Sequence, residues 1–254
     1  MMNFFSDVYH VAWGDMRFMK HNFHNIVISS LVTPILYLLA FGYGLKAGDI
    51  EIDGVTVPYL DFVIPGIIAL SSLSASFSST STRLNVQRLY YRCFDEMMMC
   101  PISYSGIIVG KTMIGMCRGL LSTSLMFIIG YALEPSYLHL TPLFIVSLLL
   151  SCFTFALLGV TAALMVKSHA TMATFSSLVI TPMTFLCGTF FSVASLPAWA
   201  QTALYALPLT ESSVCIRAAT LDIYAFPFWA LGVLALFTIA FFTIDMWLIK
   251  NKKI

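Results

Sequence analysis

Apolar residues fall along this chain in long runs rather than in alternation. Six runs reach the roughly 20 residues a helix needs to cross hydrocarbon, at about 24–45, 60–82, 106–132, 141–166, 171–193 and 226–249. Short polar or Pro/Gly-bearing joints separate them, among them Lys46–Gly54, Glu134-Pro135 and Lys167-Ser-His169. Ahead of the first run the pattern changes to a helical period. Asp7, His10, Gly14, Arg17 and His21 recur at spacings of 3, 4, 3 and 4, with Phe5, Val8, Ala12, Met16 and Met19 between them. This predicts an amphipathic helix over 4–21, too polar to span, lying on the membrane surface with Tyr9 and Trp13 at headgroup level. Asp7, Asp15, Arg17 and Lys20 interrupt any signal-peptide core.

Composition agrees. The 254 residues are 59% hydrophobic and only 10% charged, against about 25% charged in a soluble domain. Too little charge is present to cover a water-facing surface, and a net charge of +1 gives no footprint for nucleic acid. The predicted fold is an all-α polytopic membrane protein of one domain, with six transmembrane helices. Basic residues orient it. Arg17, Lys20, Arg83, Arg88, Arg92, Lys111, Lys167, Lys250, Lys252 and Lys253 fall on one side; only Lys46 and Arg217 fall on the other. Both termini are therefore expected in the cytoplasm.

Three further stretches stand out. Residues 83–104 form the longest cytoplasmic loop, and its acids, Met triplet and Pro101 suit a small helix that meets a partner. Residues 195–222, on the outer side, hold two short helix-compatible halves split at Pro208, too short to cross and so re-entrant or superficial. Nine of the twelve residues from Ser71 to Thr82 are Ser or Thr. Their hydroxyls can bond back to the preceding turn. Ser71, Ser74 and Ser78 then either line a conduit or allow close helix packing. Arg118, well inside the third run, costs about 2.5–3.5 kcal/mol at mid-bilayer and should face protein or water. Asp245 reads as interfacial.

Several chemistries are disfavoured. Ser105–Thr112 approximates a phosphate-binding loop but has Ser105 in place of the first glycine, and no buried strand precedes it. Lys111 then reads as a cytoplasmic anchor. His21 and His24 lack a third ligand for a metal. The six cysteines form no CxxC pair and read as small apolar filler. No further embedded carboxylate or catalytic set is evident.

Tyr59–Ile67, Phe94–Ser103 with Gly110-Lys111, Phe185–Ser192, Leu196-Pro-Ala-Trp199, Leu207-Pro-Leu-Thr210 and Arg217, taken in order, resemble the membrane-spanning subunit of type 2 ABC exporters. The resemblance covers essentially the whole chain. One departure is Arg92-Cys-Phe, where the family often carries a glycine before the acids. The resemblance implies a permease of the bacterial cytoplasmic (inner) membrane that exports a substrate. It implies a partnership with a second permease copy, as a homodimer, and with two cytosolic ABC ATPase subunits. ATP and magnesium would be held in those subunits, with no cofactor in this chain. It further implies that Phe94, Asp95, Glu96, Met97, Met98, Met99 and Pro101 couple to the ATPase, and that Pro197, Trp199, Pro208, Thr210 and Arg217 mark the external re-entrant pair. The competing classes are a self-contained channel or ion-coupled carrier, and an intramembrane enzyme.

Orientation is checked by labelling. Asp53→Cys or Gln201→Cys is expected to react from outside intact cells, and Asn85→Cys or Ser168→Cys is not. Labelling of position 85 from outside overturns it.

Overall fold

The computed structural model of the protein describes residues 4–44, 50–52, 55–133, 140–186, 188–191, 197–221 and 225–251. Glu134-Pro135, Cys187, Ser192, Leu196, Asp222, Lys252 and Lys253 lie outside these, as do most of the joint at 46–54. Helices dominate. α1 (Phe4–His21) leads directly into α2 (Phe23–Tyr37), which a π-helical segment, Leu38–Gly44, prolongs. A feature not anticipated from the sequence follows. β1 (Ile50–Ile52) and β2 (Val55–Val57) form an antiparallel ribbon pairing Ile50 with Val57. Then come α3 (Tyr59–Leu89), α4 (Cys93–Met99), α5 (Tyr104–Leu133) and α6 (Pro142–Met165). α7 (His169–Phe175), a π-helical Ser176–Ile180 and α8 (Thr181–Leu186) form one broken helical run. α9 (Ala198–Tyr205), α10 (Pro208–Leu221) and α11 (Phe228–Asn251) complete the chain.

Five helices among the described residues, those of α2, α3, α5, α6 and α11, are long and apolar enough to cross a membrane. The expected fifth span, 171–193, is instead the segmented run over 169–186. Its break has a local cause. Pro182 cannot donate to the turn before it, and the Thr181 amide reaches back five residues to the Ser176 carbonyl. Outward faces are apolar: Ile28, Val32, Leu36 and Leu39 on α2 and Leu236, Ile239 and Trp247 on α11 are exposed. That surface is stable against lipid and not against water.

α3 is the hub. Its 31 residues extend about 46 Å, well beyond a hydrocarbon core of about 30 Å. The stretch 83–89, expected as loop, is its continuation. α3 packs along α5 and α6, and α10 covers its first turns. The contact with α5 is backbone-close. A Cβ on Gly115 would collide with the Thr80 hydroxyl and sit 2.8 Å from the Ser76 carbonyl; one on Gly119 would collide with the Ser76 hydroxyl and sit 2.9 Å from Cys152 Sγ. Gly159 does the same for α6, 2.9 Å from the Phe77 carbonyl. Small residues of this kind are how helices associate where the surrounding solvent is itself apolar.

Gly119→Val is therefore expected to destabilise by about 1–3 kcal/mol through overpacking, read as a lowered thermal midpoint in nanodiscs. Gly232→Val, where a Cβ meets nothing within 4 Å, should leave the midpoint in place.

Candidate functional site

α4 is built as its sequence suggests. Asp95 and Glu96 stand in its first turn, where carboxylates complement the helix dipole, and Cys100 and Pro101 lie just past its end. Arg92 precedes it at φ 57°, ψ 6°, the left-handed region that favours glycine. This is where the expected glycine is replaced by Arg92-Cys-Phe. The three methionines do not share one face. Phe94 is buried, and Met97 and Met98 pack beside it on a cluster that includes Leu84, Ile107, Leu157, Leu164 and Ile249. Asp95, Glu96 and Met99 are exposed. α4 thus sits against α3 on a cluster to which α5, α6 and α11 also contribute, and presents two acids and one methionine outward.

The end of α3 above it is held by polar clamps. Arg88 donates to the carbonyls of Ala163, Leu164 (3.0 Å) and Val166 (2.8 Å), closing the C-terminus of α6. Asn85 meets His169 at the start of α7, 3.3 Å away. Lys111 is no aqueous anchor. Only 4% exposed, its Nζ donates to Asp15 Oδ2 at 2.9 Å and to Gln87 Oε1 at 2.8 Å. Arg83 Nε and Gln87 Nε2 donate to the other Asp15 oxygen, at 3.1 and 2.8 Å. The stretch 105–112 is helical, so it offers no loop to wrap a phosphate.

This network corrects the reading of α1. Its acids point into the protein, not away from it: Asp7, Val11, Ala12 and Asp15 form the buried face. Asp7 Oδ2 accepts from the Ser103 amide (3.1 Å) and hydroxyl (2.8 Å), and the Ser103 hydroxyl accepts from the Gly106 amide at the start of α5. Gly106 and Gly110 let α1 approach, with Val11 Cβ 2.7 Å from where a Gly110 Cβ would stand. Period alone could not choose which face meets protein.

The Ser/Thr stretch of α3 is partly packed and partly beside open space. Ser72, Ser76, Ser79, Thr80 and Ser81 are buried in packing. Ser71, Ser74 and Ser78 line a cavity of about 140 Å³ between α2, α3 and α5, with Ser29, Ser30, Thr33 and Arg118. Ser78 also borders a second cavity of about 410 Å³ and a third of about 270 Å³ reaching His169. Arg118 stands between the first two, its Nη2 donating to Ser29 Oγ at 3.0 Å.

At the opposite end of α3, Pro197 precedes α9, Trp199 is exposed, and Pro208 opens α10. Thr210 donates to the Leu204 carbonyl at 2.6 Å, tying the pair together. α10 is buried against α3, α6 and α11. Arg217, counted by sequence as an exposed outer charge, lies inside: its guanidinium covers the Phe62 ring at 3.8 Å and donates to the Gly188 carbonyl at 3.0 Å.

Residues 7–221, from within α1 to the end of α10, match the family described as ABC-2 type transporter. The chain belongs to the ABC-2 type transporter family. It is 27% identical over 240 residues, 92% of each chain, to "Inner membrane transport permease YadH" of Escherichia coli strain K12. It is 29% identical to "Nodulation protein J" of Sinorhizobium fredii over 204 residues, covering 77% of this chain and 74% of that one. A third relative, "Nodulation protein J" of Rhizobium leguminosarum bv. viciae, is 27% identical over 235 residues, 89% of this chain and 87% of its own. This ABC-2 permease is accordingly the membrane subunit of an ABC transporter.

Sequence reading missed several residues of the permease. Asp245 is not interfacial. It is fully buried and accepts from Thr161 at 2.7 Å. Asp61 and Glu211 are buried too, so embedded carboxylates exist after all. The one available signal for Asp245 is its register with Ala230, Leu234 and Ile249, the buried stripe of α11.

The Asp15–Lys111 pair yields a double-mutant cycle. Asp15→Asn alone should cost about 3–5 kcal/mol, the usual result of leaving a buried charge unpaired. Lys111→Met should cost less, because Arg83 still faces Asp15. The double variant is expected to recover part of the sum; strictly additive losses in thermal unfolding would show the pair is not coupled.

Proposed function

We propose that this permease forms the translocation path of an ATP-driven exporter in the bacterial inner membrane. Two copies pair, six helical passes each, with both termini in the cytoplasm. Two cytosolic ATPase subunits dock beneath and hold the ATP and magnesium. The permease itself hydrolyses nothing. The α9–α10 pair re-enters from the outer side. Substrate passes beside the hydroxyl face of Ser71, Ser74 and Ser78.

The observation that carries this reading is α4. A short helix seated by Phe94 in a cluster shared by four long helices, and packed on α3, is poorly placed to rock alone; a push on it is delivered to that end of the bundle. Its exposed Asp95, Glu96 and Met99 suit a partner's groove, with charge for register and methionine for an adaptable contact. Family membership and the name carried by the Escherichia coli relative support the setting. Buried Asp245 and Glu211 are what an ion-coupled carrier would use, but each has a place inside a family whose transporters are driven from outside the membrane subunit.

The test is Glu96→Lys with Met99→Asp, both on the exposed face, checked for normal membrane insertion. Export is expected to fall about tenfold or more, equivalent to about 1.4 kcal/mol of lost coupling, with the subunits separated or ATP hydrolysis running on without export. Unchanged export from a well-inserted double variant would remove α4 from the coupling.

A further inference from the structure

We propose that Arg118 and the hydroxyls around it form a subsite for the anionic group, phosphate or carboxylate, of an amphiphile. As a statement about substrate it rests on the export reading above; as a statement about binding it does not.

α5 carries two cations, buried Lys111 and half-buried Arg118, and they are treated differently. Lys111 meets the carboxylate of Asp15. Arg118 meets none among the described residues: its Nε faces Ser30 Oγ at 3.5 Å and its Nη2 donates to Ser29 Oγ at 3.0 Å. A guanidinium has five N–H donors in a rigid fork that matches phosphate and carboxylate oxygens. Two neutral hydroxyls neither use the fork nor balance its charge. In a low-dielectric setting an uncompensated cation persists only where water or a ligand completes it.

The space beside it is shaped for that ligand. The cavity of about 140 Å³ is several times the roughly 30 Å³ that a water occupies in the liquid, room for one tetrahedral anion with a few waters but not for a sugar chain. The Ser74 and Ser78 hydroxyls face it, neither hydrogen-bonded to another of the described residues. They lie at i and i+4, one above the other on α3, and can donate to a second oxygen of the same anion.

The neighbouring chamber gives the rest of the molecule. This cavity of about 410 Å³ shares Arg118 and Ser78 with the first and is bordered by Phe18, Ile26, Val86 and Ile114, with Ser79 and Thr82 also on its wall. It also touches Arg83, but that charge is already matched by Asp15. One cation shared by a hydroxyl-bearing chamber and a larger one with four apolar side chains on its wall is the complement of an acidic head on an apolar body. A soluble anion would leave the second chamber unfilled, and a neutral lipid would leave the guanidinium unmatched.

The full-length permease in phosphatidylcholine nanodiscs gives the test, with dodecyl phosphate as probe, dodecanol as its neutral twin and empty nanodiscs as reference. Arg118→Gln is expected to weaken dodecyl phosphate binding about tenfold or more, the scale of a lost charge-assisted contact, with dodecanol unchanged; Arg118→Lys should keep part of the affinity. Ser74→Val with Ser78→Val, which leaves the guanidinium in place, should weaken the phosphate selectively as well. Dodecyl phosphate bound equally by wild type, Arg118→Gln and the Ser pair overturns the subsite, as does loss of phosphate and dodecanol alike. Adding phosphatidylglycerol separates the two sources of such a head. Binding that persists assigns the subsite to a transported amphiphile; displacement assigns it to a bilayer lipid headgroup. No ATPase and no transport enter the measurement. A failed coupling experiment on α4 with intact dodecyl phosphate binding would thus indict the export reading, and the converse would indict the subsite.

Discussion

Backbone approach along α5 is the constraint on which the rest of this permease depends. In lipid, apolar side chains gain little by leaving solvent, so helices are held by van der Waals fit and hydrogen bonds. α5 supplies that fit twice. Gly106 and Gly110 admit α1, and Gly115 and Gly119 admit α3. Only because both neighbours come that near can Asp15 of α1 and Gln87 of α3 meet around Lys111. The glycines set the distance; the ion pair sets the register.

Charge then divides the molecule by function. At the α4 end of α3 three cations have structural work: Arg83 and Lys111 neutralise Asp15, and Arg88 closes α6. At the other end Arg217 is spread over an aromatic face and a carbonyl. These placements make the two ends stiff. Between them lies the stretch where α3 turns hydroxyls toward open space and Arg118 is balanced by no carboxylate among the described residues.

How much of this was legible in the sequence follows from what each signal measures. Run length locates a span, and all six expected runs are helical over most of their length. Local chemistry locates short elements: Asp95, Glu96 and Pro101 bound α4, and Pro208 opens α10. What run length cannot report is where a helix stops once it leaves lipid, so the sequence alone reads the continuation of α3 to Leu89 as loop. Nor can it say which polar side chains meet each other. Lys111 and Asp245 near span ends look like water-facing charges until the fold brings Asp15 to one and Thr161 to the other. The Ser/Thr stretch is ambiguous in sequence because hydroxyls serve packing and cavity walls alike, and α3 places some in each.

The uninterrupted length of α3 has a mechanical consequence. Three close contacts, with Gly115, Gly119 and Gly159, gather at Ser76–Ser81, and a separate one lies at Gly66, where a Cβ would stand 2.5 Å from the Thr189 carbonyl. From Ser78 the inner arm to Leu89 is about 16 Å and the outer arm to Tyr59 about 28 Å at the helical rise. A rod pivoted there is a lever of unequal arms. A small tilt imposed beside α4 would swing the far end about 1.7 times as far, and with it Phe62, whose ring the α10 residue Arg217 covers. Motion at the α4 end of α3 would then be felt, enlarged, at the seat of α10.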